Sequence, residues 1–389
     1  MKILIFSHLF PNNIDQTSGI FVFERVKFLK QFFEITIVAP VPYFPKIQIF
    51  KKWSKFSKIP KYEIIEGIEI FHPRYLLFPK NLLRPQIGLF LFFSTFNLIK
   101  SLHSINHFDL IHAHFIQPSG IAASMIGEKI DVPVVITEHF GRLNDDLENR
   151  SMQSLIKKTF EKIDKLIVVS ERLQNELLKK GYDDSKITVI PNGVDMTKFI
   201  PNKKPRQVLN QINLISIGNL IENKGYRFLI KAIKLLVEKN INVKLRIIGE
   251  GILREELQKM IEDYDLLDHV TLIGEVKHDL IFDYLDTAHM LIHPSLIESF
   301  SVVTIEALAC GLPVVVTACG GPENFVNKRV GVVVNKGDSR ELASGINYVI
   351  NNYDKYDPDE ICEYCRNNFS YEIIIKKISD LYREVINEH

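Results

Sequence analysis

Over most of its length the chain alternates between short unbroken apolar runs and longer segments whose apolar residues recur every three or four positions. In the first half the runs are KILIFS, EITIVAP, DLIHAH, PVVITEH and KLIVVS, with KITVIPN closing the series. Between several of them lie helical patterns such as FVFERVKFLKQF and RLQNELLKKG. Strands that are apolar throughout, rather than at every second position, have to be covered on both faces. Alternating with helices, they predict a parallel sheet between two helical layers, an α/β architecture.

The alternation breaks at PNGVDMTKFIPNKKPRQVLNQ, Pro191 to Gln211, a stretch rich in Pro, Asn and Lys that reads as a linker. A second series follows: INLISIG, the helical KGYRFLIKAIKLLVEK, VKLRIIGEG, HVTLIGEV, HMLIHPS, PVVVTACGG and GVVV. A chain of 389 residues exceeds what one ordinary core organises, and the pattern supplies two α/β domains of similar size.

Composition narrows the class. The chain is 46% hydrophobic and 24% charged, which is that of a globular protein. With 48 Lys and Arg against 47 Asp and Glu, no global field recruits nucleic acid. The opening MKILIFSHLF has one charge and no small-residue cleavage site, so it reads as a first buried strand rather than a signal sequence. The longest apolar run, Ile87 to Ile99, falls short of the roughly 20 residues needed to cross a bilayer, contains Ser, Thr and Asn, and reads as a core helix. Cys362 and Cys365 form a lone C-x-x-C with no second ligand pair, so Cys310, Cys319, Cys362 and Cys365 read as reduced thiols of a cytoplasmic protein. Phe44 to Tyr62 is different. It carries Lys46, Lys51, Lys52, Lys55, Lys58 and Lys61, no acid, and the only Trp, Trp53. It suits an anionic membrane surface, and equally a solvated lysine-rich loop.

Candidate chemistry gathers where predicted strands end. The first strand is followed by Gly19 alone, not by the three glycines of a dinucleotide fingerprint, which argues against a dehydrogenase. Gly19 just before a helix marks either a simple turn or a backbone approach to a phosphate or sugar. In the second half, three successive strands end in glycine: GNLIENKG with Asn219 and Lys224, IIGEG with Gly249, and IGEV ending at Val276. Three such turns at one sheet edge point to a nucleotide crevice.

Next comes SLIESFSVVTIEALACG, with Glu298 before a helix predicted from about Val302 to Cys310, Glu306 within it and Gly311 after it. The first amide groups of that helix, at Phe300, Ser301, Val302 and Val303, form its positive end. They suit a diphosphate, with the flanking carboxylates accepting from sugar hydroxyls. The alternative is a capped helix with two solvated glutamates. Asp263 to Asp265 and Asp357 to Asp359 match a bare D-x-D but lie in polar stretches, so no metal site is expected.

Glu298 and Glu306 with seven residues between them, followed by EALACGLPVVVTACGGPENF, resemble the E-x7-E signature of the retaining glycosyltransferases of family 4, which have the GT-B fold. VIPNGVDMTKF, FDLIHAH, ITEH and NFSYEIIIKKISDLYREV extend the resemblance over nearly the whole chain. It implies two Rossmann-like doubly wound domains facing a central cleft: residues 1–195 for the acceptor, 196–370 for a nucleotide-sugar donor, and a helix over 371–389 crossing back. It implies that Glu298 contacts the donor sugar, Glu306 the ribose, Lys224 the diphosphate, the backbone near Val276 the base, and that Gly19 lets the first loop approach the donor. His139, otherwise readable as a structural histidine at a strand end, matches the family's histidine beside the sugar.

Two departures stand out. Asn219 replaces the family's usual Arg, and Ser299 and Ser301 replace the two glycines of its E-G-F-G. A basic residue elsewhere, such as Arg142, is a candidate for the missing charge. The implied activity is transfer of a sugar to a glycan or lipid-linked acceptor in polysaccharide or cell-envelope assembly, without cofactor, possible alternatives being a nucleotide-sugar epimerase of the same fold or a non-catalytic sugar-nucleotide-binding protein.

Overall fold

The structure is a computed structural model that describes residues 1–43, 55–78, 83–139, 143–201 and 211–389. Two compact units emerge: Met1–Pro191 with Ile374–His389, and Asn192–Ile373. The last helix, Tyr371–Glu388, passes from one unit to the other at Ile374.

The first unit is built on an eight-stranded sheet in the order Ile187–Val189, Lys165–Val168, Val134–Glu138, Leu110–His114, Lys2–Phe6, Glu34–Val38, Ile68–Phe71, Tyr62–Ile65. All pairings are parallel except that of the last two strands. Ile3, Leu4 and Ile5 are all fully buried, as a strand covered on both faces requires. The helix Ile87–Asn106 is longer than the apolar run suggested, and it is not wholly internal: Leu91, Phe92 and Ile99 face the core while Phe93 is 72% exposed. No helix among the described residues is long and apolar enough to cross a membrane.

The second unit holds six parallel strands in the order Val270–Gly274, Val243–Ile248, Ile212–Ile217, Met290–His293, Val314–Thr317, Gly331–Val334. Chain order and spatial order reverse between Ile212–Ile217 and Met290–His293. That reversal makes a crevice beyond the carboxyl ends of these two strands, where open α/β sheets bind ligands. The helix Tyr226–Val237 turns Leu229, Ile230, Ile233 and Leu236 inward, the spacing of one helical face. The helix Val302–Ala309 ends as the sequence suggested. Leu312 N–H donates to the Ala307 carbonyl and Gly311 N–H to that of Leu308, the paired bonds of a Schellman stop.

The residues from Asn192 to Phe199, read as linker, are built into this unit. Val194 bridges to Ser370, Gly193 lies against the Tyr371 ring, and Phe199 is buried. The two D-x-D stretches have local structural duties: Asp263 ends the helix Arg254–Asp263, and Asp357 caps Pro358–Phe369 by accepting from Asp359 N–H. All four cysteines are buried and none is in a disulfide.

Candidate functional site

The crevice of the second unit is lined by two loops that the fold stitches together. One follows Ile217 through Gly218 and Asn219 to a short turn at Glu222–Lys224, just before the helix Tyr226–Val237. The other follows His293 through Pro294 to Ser301 and feeds Val302–Ala309. Leu296 N–H donates to the Asn223 carbonyl at 2.7 Å, and Glu298 N–H to that of Cys319 at 3.0 Å. Gly249, at the end of the neighbouring strand, has a φ of 142°, and a Cβ there would stand 2.0 Å from the Gly218 carbonyl oxygen. Only glycine allows these two strand ends to approach so closely.

Between the loops, Lys224 Nζ donates to Glu298 Oε2 at 2.6 Å. His293 Nε2 lies 3.4 Å from the same oxygen, the long end of hydrogen-bond distance. Burial by itself raises the Glu298 pKa. The Lys224 ammonium, and then a hydrogen bond from the His293 ring, outweigh it and hold the carboxyl at about 2. Burial lowers the pKa of His293 against the pull of Glu298, so its ring is neutral at neutral pH. The cluster is therefore one fixed cation against one fixed anion beside a neutral imidazole.

Next to it the helix Val302–Ala309 begins. Its first amide groups lack intrahelical partners by construction and form a partial positive pole. Ser301 stands at the entry with φ 81°, in the left-handed region that glycine favours, and its Oγ shares a 2.7 Å hydrogen bond with Thr304 Oγ1. Phe300 contributes backbone only, because its side chain packs into an aromatic cluster with Phe325 and Phe369 at centroid distances of 5.0 and 5.8 Å. Val302, Val303 and Ser299 are half-buried around the same turn, and Asn219 is exposed at the crevice rim.

Glu306 is 5% exposed, and its Oε1 accepts from His278 Nε2 at 2.7 Å. His278 follows Val276 in the loop after the strand Val270–Gly274, so the residue expected near the base and the carboxylate expected at the ribose share one wall. His278, His293 and Glu323 were missed in the sequence. Glu323 Oε1 accepts from Gly320 N–H at 2.6 Å, while its Oε2 is buried with no hydrogen-bond partner. The one available signal was their position at strand ends and in the loop after TACGG.

Gly19 and His139 belong to the first unit. Gly19 has φ 65°, packs its Cα face against the Leu9 carbonyl, and starts the helix Ile20–Leu29. That helix brings Phe21 to within 4.7 Å of the His139 ring. His139 is 8% exposed at the end of Val134–Glu138. Its Nε2 shares a 2.9 Å hydrogen bond with His114 Nδ1, and the two rings stack. Burial, then His112, His139 and Arg25, press the His114 pKa well down, so this ring too is neutral. A separate cavity of about 270 Å³ opens at the carboxyl edge of the same sheet, walled by His8, Tyr75, Phe115, Gln117 and an Arg84–Asp146 ion pair. Arg142 lies outside the described residues, as does most of the lysine-rich segment, residues 44–54; Lys55–Lys58 form a single 3-10 turn. Among the described residues no group of three or more His, Cys, Asp or Glu is placed to hold a metal ion.

A parallel sheet whose order reverses beside a lysine–glutamate pair and a helix start is a Rossmann-type unit, here the second of two in series. Residues 47–198 match the family described as Glycosyltransferase Family 4, and residues 197–368 match Glycosyl transferases group 1. The two matches together span residues 47–368, and the chain belongs to glycosyltransferase family 4. It is 28% identical over 359 residues to TuaC of Bacillus subtilis strain 168, a glycosyltransferase named for teichuronic acid biosynthesis, covering 89% of this chain and 88% of that one. Among solved structures it resembles the sucrose-phosphate synthase tll1590 of Thermosynechococcus elongatus, with a TM-score of 0.79, 18% identity and full coverage of both chains. It also resembles Anabaena Alr3699/HepE in complex with UDP, with a TM-score of 0.74 and 18% identity over 99% of this chain and 100% of that one. At such identities the likeness establishes the GT-B fold.

Proposed function

We propose that this glycosyltransferase moves a sugar from a nucleoside-diphosphate donor to an acceptor hydroxyl with retention at the anomeric carbon, in polysaccharide or cell-envelope assembly. The observation that carries the reading is the Lys224–Glu298 pair set against a helix start at the reversal point of the second unit. On donor binding the diphosphate takes over Lys224 and the amides of Phe300 to Val303, and Glu298 turns to hydroxyls of the sugar. Glu306 takes the ribose, and the backbone at Val276 and Gly249 frames base and phosphate. Gly19 and His139 enter from the family pattern, His139 serving the sugar.

In the reaction the acceptor oxygen bonds to the anomeric carbon as the bond from that carbon to the phosphate oxygen breaks. The acceptor proton passes to the departing phosphate oxygen, the electron pair of the broken bond leaves with that oxygen, and nothing is oxidised or reduced. Lys224 and the helix amides stabilise the charge growing on the leaving group, the task a metal ion performs elsewhere, and we infer that none is needed. The acceptor is a glycan or a lipid-linked saccharide, with the first unit as its seat. The lysine-rich segment, Phe44 to Tyr62, supports attachment to the inner membrane face; liposome binding that is unchanged after neutralising Lys51, Lys52, Lys55 and Lys58 removes that part.

The test is a thermal-shift panel of UDP-, GDP- and ADP-sugars, in which a donor at about a hundred times its Kd adds roughly 2.7 kcal/mol. If no member shifts the melting point, the donor site is wrongly assigned. Incubation with the bound donor alone separates transfer from isomerisation: an epimerised sugar in the absence of acceptor overturns the transferase mechanism.

A further inference from the structure

The carboxylate expected at the ribose is held from behind by a relay that starts far away in sequence. Glu306 Oε1 accepts from His278 Nε2 at 2.7 Å. A carboxylate oxygen only accepts, so Nε2 carries the proton; an ammonium only donates, so beside Lys198 it is Nδ1 that accepts. Lys198 Nζ lies 3.3 Å from Nδ1 and 2.7 Å from Asp279 Oδ1. The Phe199 ring meets the imidazole edge-on at a centroid distance of 5.9 Å and is itself buried. These contacts favour one tautomer and one ring orientation. Glu306 Oε2 has no hydrogen-bond partner among the described residues. One carboxylate oxygen is pinned and the other is left to accept.

We propose that His278, fixed by Lys198, is a positioning residue for ribose recognition: it holds Glu306 so that its second oxygen selects a nucleotide with ribose hydroxyls over its deoxy counterpart. The segment ending in TKF then does more than join two domains, because its lysine sets the tautomer behind the donor's ribose. This inference rests on the donor-site reading above and adds to it the source of sugar discrimination within the nucleotide.

The experiment measures binding by calorimetry to the full chain. UDP, GDP and ADP are compared first, and the tightest binder is then set against its 2′-deoxy and 3′-deoxy forms. Wild-type protein should favour the ribo form by about tenfold, the worth of one good hydrogen bond to a charged group. His278→Leu should bring that ratio below about twofold. His278→Gln, whose amide reaches the same oxygen, should restore it, and Lys198→Met should cut it about threefold. If His278→Leu and Lys198→Met keep the wild-type ratio while both affinities fall together, the relay is merely structural and the inference fails. Should His278→Leu not fold, Lys198→Met, altered near the surface, carries the same test. If the wild-type chain binds none of the three diphosphates, the donor site itself is wrong and takes this inference with it.

Discussion

Glu298→Gln separates a ligand-binding pair from an ordinary internal ion pair, because the two make opposite predictions for nucleotide affinity. The substitution keeps the shape of the side chain and removes its charge. Holding a carboxyl at about 2 rather than 4.5 favours its ionised form in the folded protein. At about 1.4 kcal/mol for each factor of ten, that interval is worth about 3 kcal/mol. The sign follows from the direction. A depressed pKa gives stability that is fully present above 4.5 and is lost as pH falls toward about 2. The variant should therefore be less stable by about 1 to 3 kcal/mol throughout pH 5 to 8, since Lys224 recovers some solvation in its absence. The gap between the two proteins should close as the solution is acidified below 4.5.

A purely structural pair predicts that loss and nothing else. A site predicts more. With the carboxylate gone, Lys224 is released to the diphosphate and one repulsion disappears, so affinity for the nucleoside diphosphate should rise about fivefold, roughly 1 kcal/mol after screening. Sugar transfer should meanwhile fall by about 10² to 10³. Denaturant unfolding across pH, calorimetric titration with nucleoside diphosphate and a transfer assay give the three readings. A destabilised variant with wild-type nucleotide affinity and wild-type transfer refutes the assignment of Glu298.

Lys224→Met should lose stability as well, since it strands a buried carboxylate, but nucleoside diphosphate affinity should drop at least tenfold, the reverse of Glu298→Gln; equal affinities in calorimetry would remove Lys224 from the donor site. Ser301→Gly should raise the unfolding free energy by about 1 kcal/mol, because Ser301 holds a left-handed φ of 81° that glycine adopts without strain; a lower melting temperature would mean that the Thr304 hydrogen bond outweighs the strain. Gly249→Ala should cost more than about 2 kcal/mol, given a Cβ 2.0 Å from the Gly218 carbonyl oxygen; an unchanged denaturation midpoint would show that the crevice is looser than drawn.

The layers of the fold were legible because their signal is local. Runs such as KILIF and PVVVT can only be central parallel strands, and Gly311 stops its helix as a C′ glycine does. The glutamates were legible for a related reason: a charge in a run that otherwise asks for core has to be paired or useful. Their partners were not. Lys224 meets Glu298 across 74 residues and His278 meets Glu306 across 28, separations set by the order in which strands enter the sheet. The same limit explains Phe300, whose side chain left the helix start for a cluster built with Phe325 and Phe369. It also explains Phe93, exposed on a helix whose composition gave no reason to choose an outward face.

Those partners decide what each carboxylate does. A charge drawn away from water has to be met inside the protein or the site does not fold. Lys224 meets Glu298, and on the proposed reading it is also the cation a diphosphate requires, so donor binding would exchange one anion for another on the same ammonium. The released carboxylate must then find sugar hydroxyls, and a nucleotide without its sugar leaves it wanting. Glu306 is different. Its partner is an imidazole braced by Lys198, which on the proposed reading has no reason to leave when a ribose arrives. On the proposed reading the two glutamates eight residues apart are a mobile acceptor that rewards the complete donor and a fixed one that recognises the nucleoside, and discrimination among sugars should follow changes around Glu298 and His293 rather than around Glu306.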